Sequence, residues 1–232
     1  MRVYAIIPAR GGSKGIPRKN LREINGRSLL GRCIDAAKGV TGIDEVWVST
    51  DCPDHKAHAL DCGAKVIDRP AELSGDRASS EAAVTHAVEM WDKADDRPDV
   101  LVFLQCTSPF TIADDIAGTL AEVTDKGADT ALAVTTFHYF LWKPDDSGDW
   151  HGVGHDRRVR LLRQQIHGTD KETFLETGAV YVMKTDGYMT HKHRFFGRTG
   201  AHVMPEERVF EIDEPHDLVR AEELAKVLDN QH

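Results

Sequence analysis

The feature that most constrains this chain is an alternation between short apolar runs and segments of helical period. Val100 to Leu104 is apolar at every position, the pattern of a strand buried on both faces. Val3 to Ile7 (closed by Pro8), Val46 to Ser49, Lys65 to Asp68 and Thr130 to Thr135 read as further strands. Between them, apolar residues recur at helical spacing: Leu30, Cys33, Ile34 and Ala37 before Gly39; Val84, Ala87, Val88 and Trp91, with Ser79 or Ser80 placed to cap; and Ile112, Ile116, Leu120 and Val123. Residues 53 to 61, ahead of Gly63, supply another helix. This order predicts an α/β chain with a mostly parallel, doubly wound sheet covered on both faces. Ligands of such sheets sit beyond the carboxyl ends of the strands. The residues to watch are therefore Arg10 to Lys19, Thr50-Asp51, Arg69 and Gln105 to Ser108.

The alternation breaks from His138 to about Thr177. Tyr139, Phe140 and Trp142 lead into the turn-rich Asp145-Asp146-Ser147-Gly148-Asp149, and Arg157, Arg158, Arg160 and Arg163 follow. Two readings stay open: a solvated hairpin, or an arm reaching a second subunit, since aromatics and Arg favour interfaces. Gly178 to Met183 then resumes strand character. Residues 209 to 213 read as a last short strand before a helix that starts at Pro215, with Leu218, Ala221, Ala225 and Leu228 facing inward.

At 232 residues, with 41% hydrophobic and 29% charged residues, the chain can bury a real core as one domain with a small excursion. No apolar run reaches spanning length and no secretory signal is visible. The four cysteines, Cys33, Cys52, Cys62 and Cys106, lack C-x-x-C spacing and read as reduced thiols, so a cytoplasmic location is expected. The net charge of -9 argues against non-specific nucleic-acid binding. The twelve histidines contain no H-E-x-x-H.

Against that acidic background, residues 10 to 22 form a basic island. Arg10, Lys14, Arg18, Lys19 and Arg22 surround Gly11, Gly12 and Gly15 just past the first strand. Glycines let backbone N–H groups approach phosphate oxygens, so this loop suits a polyanion. It is neither a G-x-x-x-x-G-K-[ST] loop nor a G-x-G-x-x-G fingerprint. Pro17 keeps Ile16 extended, so basic side chains rather than an immediate helix start would meet the phosphates. Far along the chain, Glu211 and Asp213 stand two apart in VFEID, both carboxylates on one side and Phe210 and Ile212 on the other. Such a pair suits Mg²⁺, or is simply the wet face of an edge strand. Thr107 and Ser108 are suited to fixing hydroxyls, or merely cap the next helix.

The stretch IPARGGSKGIPRKNL resembles the N-terminal signature of the CMP-sialic acid synthetases, the acylneuraminate cytidylyltransferases. Ketodeoxyoctulosonate enzymes usually lack its double glycine, and pseudaminate enzymes often carry a basic residue at the position of Gly15. Both features favour a neuraminate-like branch. LQCTSP (104–109) is similar to the family's L-Q-P-T-S-P, with Cys106 for Pro. RPAELSGDRASS is similar to R-P-x-x-L-S-x-D-x-A-x-S, and TGAVY to N-G-A-I-Y, with Thr177 for Asn. The family's metal-holding D-x-D corresponds to Glu211 and Asp213; with Glu in place of the first Asp, the resemblance implies Asp213 as the main ligand.

The resemblance implies a Rossmann-like nucleotide-binding domain, residues 1–137 and 176–232, interrupted by a dimerisation segment, 138–175. It implies a Mg²⁺-dependent homodimer that joins CTP to a nine-carbon 2-keto acid sugar and releases pyrophosphate. Arg10, Lys14, Lys19 and Asp213 would be catalytic. The nucleotide would meet Ala9, Arg10, Gly11, Gly12, Lys14, Lys19, Asn20, Arg69 and Ser80. The sugar would meet Gln105, Thr107, Ser108, Arg163, Gln164, Tyr181, Phe195 and Phe196, with Lys143 lent by the partner subunit. No nucleic-acid or membrane partner is expected. The same reaction on legionaminate, ketodeoxynonulosonate or ketodeoxyoctulosonate, or a non-catalytic CTP-binding module, remains open.

Overall fold

A computed structural model describes residues 1–13, 15–75 and 78–229 of the chain. Its strands are β1 (Val3–Pro8), β2 (Glu23–Ile24), β3 (Arg27–Ser28), β4 (Glu45–Thr50), β5 (Lys65–Asp68), β6 (Val100–Leu104), β7 (Thr130–Phe137), β8 (Leu141–Pro144), β9 (Trp150–Val153), β10 (Thr173–Lys184) and β11 (Thr199–Val203). Its helices are α1 (Leu29–Lys38), α2 (Pro53–Asp61), α3 (Ser80–Lys93), α4 (Ala113–Thr124), α5 (Arg163–Ile166), α6 (Thr185–His191) and α7 (Pro215–Leu228).

The unbroken apolar runs have a direct cause. Seven strands form one sheet in the order β11-β7-β10-β6-β1-β4-β5, so β1 and β6 lie at its centre. Side chains alternate across it. Val3, Ala5, Ile7, Val100, Val102 and Leu104 face one core, with Leu30 and Ile34 of α1, Ile116 of α4 and Ala221 of α7. Tyr4, Ile6, Leu101 and Phe103 face a second core, with Val84, Val88 and Trp91 of α3 and Tyr188 of α6. The pairs β1–β4, β1–β6, β4–β5 and β7–β11 are parallel, and β10 runs antiparallel to both neighbours. The sheet is thus mostly parallel and doubly wound, with one strand reversed. Among the described residues no helix is long and apolar enough to cross a membrane.

Residues 209–213, β11 and α6 differ from the sequence expectation. Residues 209–213 join no sheet; the burial of Ile212 in the first core and a backbone bond from its N to the Thr107 carbonyl at 2.9 Å are among the contacts that tie them to the fold's centre. Strand β11 and helix α6, which carry no apolar run, complete the edge beyond β7 and the second core. The segment between β7 and β10 leaves the main sheet where the alternation was expected to break, and β8 and β9 pair as a separate hairpin, one of the two arrangements read from the sequence; β10 itself starts at Thr173, ahead of Gly178.

Two contacts fix the parts that frame the strand ends. Asp115, 1% exposed, accepts from Ile112 N at 3.1 Å and pairs with Arg208 at 2.5 and 3.1 Å, tying the start of α4 to the chain that leads into residues 209–213. His55 of α2, also 1% exposed, donates through Nδ1 to the Ala9 carbonyl at 3.1 Å, which fixes its neutral tautomer and holds the peptide just past β1.

Asp115→Asn leaves the Arg208 guanidinium without its counter-charge and is expected to lower stability by about 3 kcal/mol, read from the denaturant midpoint. Burial, the dominant influence, pulls the His55 pKa below its ordinary 6.5 despite its bond to Ala9. A base depressed in the folded state contributes stability above its unfolded pKa and loses it as pH falls through the folded value. Stability should therefore decline below about pH 6.5, and His55→Gln should flatten that slope in a pH series of unfolding curves.

Candidate active site

Beyond β1 the chain is held against the ends of neighbouring elements at Ala9 and Gly11. Ala9 N donates to the Ser49 carbonyl at 2.9 Å, and Gly11 N donates to the Asp51 carboxylate at 2.9 Å. A Cβ on Gly11 would stand 2.9 Å from the Cys52 Cβ, so only glycine permits this approach. Arg10 donates to the Gly75 carbonyl at 3.1 Å, and the buried Asn20 amide reaches the Arg10 carbonyl at 3.5 Å. Gly12 faces open space. Lys14 lies outside the described residues. Arg18 takes a left-handed conformation, φ 54°, that opens the 3₁₀ turn Lys19–Leu21 and turns Lys19 inward.

Lys19 closes the site. Its ammonium donates to the Ile212 carbonyl at 2.9 Å and to the Asp213 carboxylate at 3.1 Å, across 194 positions of sequence. A Cβ on Gly15 would fall 2.7 Å from the Asp213 carbonyl, so the glycine loop and the acidic segment touch directly. With the Ile212–Thr107 bond, the basic loop, the strand end after β6 and residues 211–213 form one locus. The expected alternation survives without a strand: Ile212 is buried while Glu211 and Asp213 are exposed. Asp217, at the start of α7, accepts from Asp213 N at 3.1 Å and Glu214 N at 2.9 Å and fixes the acidic segment. Loss of water and then the nearby Asp213 charge push the Glu211 carboxyl up, against the pull of Lys19.

Buried polar atoms at the strand ends point to a ligand. Among the described residues Ser49 Oγ, Arg69 Nε and Ser108 Oγ are buried with no partner in the chain, at or just past the carboxyl ends of β4, β5 and β6. Such groups are costly unless something satisfies them. Arg69, 8% exposed, donates to the Ser49 carbonyl at 2.7 Å. Burial lowers its pKa, with Asp51 opposing and Arg10 adding to the effect.

On the second face, Tyr181 stacks on Phe103 at 5.6 Å and meets Phe195 edge-on at 6.0 Å. Its hydroxyl donates to Glu176, and burial followed by that bond pushes its pKa up. Gln105 is half-buried, its N–H on the Ala179 carbonyl at 3.3 Å. Ser80 begins α3 next to Arg194, a residue that the sequence reading missed; its one signal was a cation directly before two aromatics. Phe196, expected beside Phe195, turns away. It stacks on His191 at 5.3 Å, and its carbonyl accepts from Thr130 at the start of β7, the opposite end of the sheet. Lys143, Arg163 and Gln164 are exposed on the segment between β7 and β10.

Comparison with known proteins accords with this geometry. A family model described as Cytidylyltransferase matches residues 4–231. N-acylneuraminate cytidylyltransferase B of Danio rerio is 37% identical over 222 residues, 94% of this chain and 50% of that protein. Pseudaminic acid cytidylyltransferase of Campylobacter jejuni is 28% identical over 232 residues, 98% of this chain and 97% of that protein. Among solved structures, a CMP:2-keto-3-deoxy-manno-octonic acid synthetase complexed with CTP superposes with a TM-score of 0.68 at 19% identity, covering 98% of this chain and 99% of the other. The chain spans between a third and about half the length of the fish and Streptococcus agalactiae N-acylneuraminate cytidylyltransferases that it matches. With a match that runs almost end to end, this chain belongs to the cytidylyltransferase family, which includes the CMP-sialic acid synthetases.

Proposed function

We propose that this chain transfers CMP from CTP to the anomeric hydroxyl of an N-acylneuraminate-type, nine-carbon 2-keto acid sugar. The observation that carries the reading is the contact of Lys19 with Asp213, which unites a phosphate-suited loop and a pair of hard oxygen donors at the carboxyl ends of a parallel sheet. The sugar oxygen bonds to the α-phosphorus in line, the bond to the β-phosphate oxygen breaks, and pyrophosphate leaves as the hydroxyl gives up its proton. Positioning and charge stabilisation do most of the work in such transfers. Arg10, Lys14 and Lys19 neutralise the triphosphate and the departing pyrophosphate, and Arg69 and Ser80 hold the base. Gln105, Thr107, Ser108, Tyr181 and Phe195 line the acceptor side.

The acidic pair fits a divalent cation. Two adjacent carboxylates, one held up partly by the charge of the other, gain from a shared counter-charge. Asp213, with Glu211 beside it, would hold Mg²⁺. When bound, the ion would neutralise phosphate oxygens and lower the pKa of the attacking hydroxyl. The inserted segment fits the arm of a homodimer. It exposes Tyr139 at 64%, Leu141 at 53%, Trp150 at 55% and Leu162 at 57%, an apolar surface that a second copy would cover, bringing Lys143 toward the partner's site.

Pyrophosphate release with CTP and a panel of acceptors (N-acetylneuraminate, legionaminate, pseudaminate, ketodeoxynonulosonate, ketodeoxyoctulosonate) tests the reaction. N-acetylneuraminate is expected to give the highest kcat/KM, and CTP binding with no pyrophosphate from any acceptor would overturn catalysis. Lys19→Ala and Asp213→Ala should each slow turnover roughly ten- to hundredfold or more, the effect of losing one charge-assisted hydrogen bond in the transition state, and wild-type rates in folded variants would remove these roles. Light scattering should give about twice the 25.8 kDa chain mass, falling toward one chain mass in Trp150→Glu.

A further inference from the structure

Arg194 stands between the two substrate sides and belongs to neither set read from the sequence. Its side chain is only 16% exposed. One terminal nitrogen donates to Ser80 Oγ at 2.7 Å and to a Glu81 carboxylate oxygen at 2.6 Å, and Nε donates to that same oxygen at 2.8 Å. The guanidinium lies 4.4 Å from the Tyr181 ring centroid and 4.9 Å from that of Phe103. Glu81 is itself anchored, its carbonyl accepting from the Tyr188 hydroxyl at 2.7 Å. One planar cation therefore joins the first turn of α3 to β6 and β10.

The hydroxyl of Ser80 is not spent on the helix, because Ser79 caps α3 by accepting from Ala82 N at 3.2 Å. Arg offers only donors, so Ser80 Oγ must accept from it. A positive charge on that oxygen weakens it as an acceptor for a second donor and strengthens its O–H as a donor. The other partner of that O–H is Glu81 Oε2 at 3.3 Å, a long bond that a ligand acceptor would readily replace. Cytosine presents an acceptor at N3 where uracil presents N–H.

We propose that Arg194 is a positioning residue that couples the base side to the acceptor wall and biases Ser80 to donate, favouring a cytosine over a uracil nucleotide. The inference rests on the reading of Ser80 and Tyr181 given under the proposed function. The test measures CTP and UTP binding by calorimetry, and kcat and KM for both substrates, in wild type, Arg194→Ala and Arg194→Lys, with thermal unfolding as a check of the fold. Arg194→Ala should weaken CTP binding about tenfold, narrow the CTP/UTP ratio and raise the acceptor KM more than it lowers kcat. Arg194→Lys keeps the charge without the fork and should recover part of that ratio. A folded Arg194→Ala with the wild-type ratio and acceptor KM would overturn the inference. If Arg194→Ala does not fold, a wild-type ratio in Arg194→Lys would overturn it equally. Wild type that binds no CTP would instead sink the underlying function.

Discussion

The ammonium of Lys19, bonded at once to the Ile212 carbonyl and the Asp213 carboxylate, is the contact on which the site depends. It sets one cation against two adjacent carboxylates that would otherwise repel. The contact needs three supports. The left-handed Arg18 directs Lys19 inward, Gly15 lets the loop lie against the Asp213 carbonyl, and Asp217 fixes the backbone of the acidic segment. Any side chain at Gly15 would push the two apart. In a chain with a net charge of -9, local cations held this way also mark where a polyanion is attracted rather than repelled.

The unpartnered polar atoms complement that charge pattern. Burying Ser49, Arg69 and Ser108 without full satisfaction costs stability, and the two hydrophobic cores offset it. Part of that cost, at Ser49, Arg69, Thr107 and Ser108, gathers at the carboxyl ends of β4, β5 and β6, while the sheet's backbone groups pair in the ladders. This division is what a binding fold requires: a rigid sheet, and a polar rim left incomplete for a ligand to finish.

What was legible in the sequence follows from burial. β1 and β6 lie where their apolar runs suggested, and α1, α3 and α4 follow their helical spacing, because double burial and amphipathic packing leave strong periodic signals. β11 did not, since an edge strand such as Thr199–Val203 alternates exposed and covered residues with few apolar ones. Residues 209–213 mimicked a strand because an extended segment anchored by Ile212 has the same alternation without a ladder. Phe195 and Phe196 could not both line one wall: their rings diverge, one to Tyr181 and one to His191. Arg194 was illegible for a different reason. Its partners Ser80, Glu81, Phe103 and Tyr181 lie in three elements that only the tertiary fold brings together.

The placement of the cations also bears on how a sugar acid would be held. Arg10, Lys19 and Arg69 are each engaged on the loop side of the site, with the Gly75 carbonyl, the Asp213 carboxylate and the Ser49 carbonyl respectively. Arg194 is committed to Glu81 and Ser80. A carboxylate entering beside Tyr181 would therefore compete with existing bonds at Lys19, Arg10 and Arg194, and at Arg69 would find its Nε without a partner among the described residues but buried on the loop side. Lys143 is exposed on a hairpin whose apolar residues face solvent in the single chain. Under the proposed arrangement one association covers that apolar surface and delivers a cation not already committed to the nucleotide. Under that proposal the acceptor side would depend on a second chain because of how the first chain has distributed its positive charge.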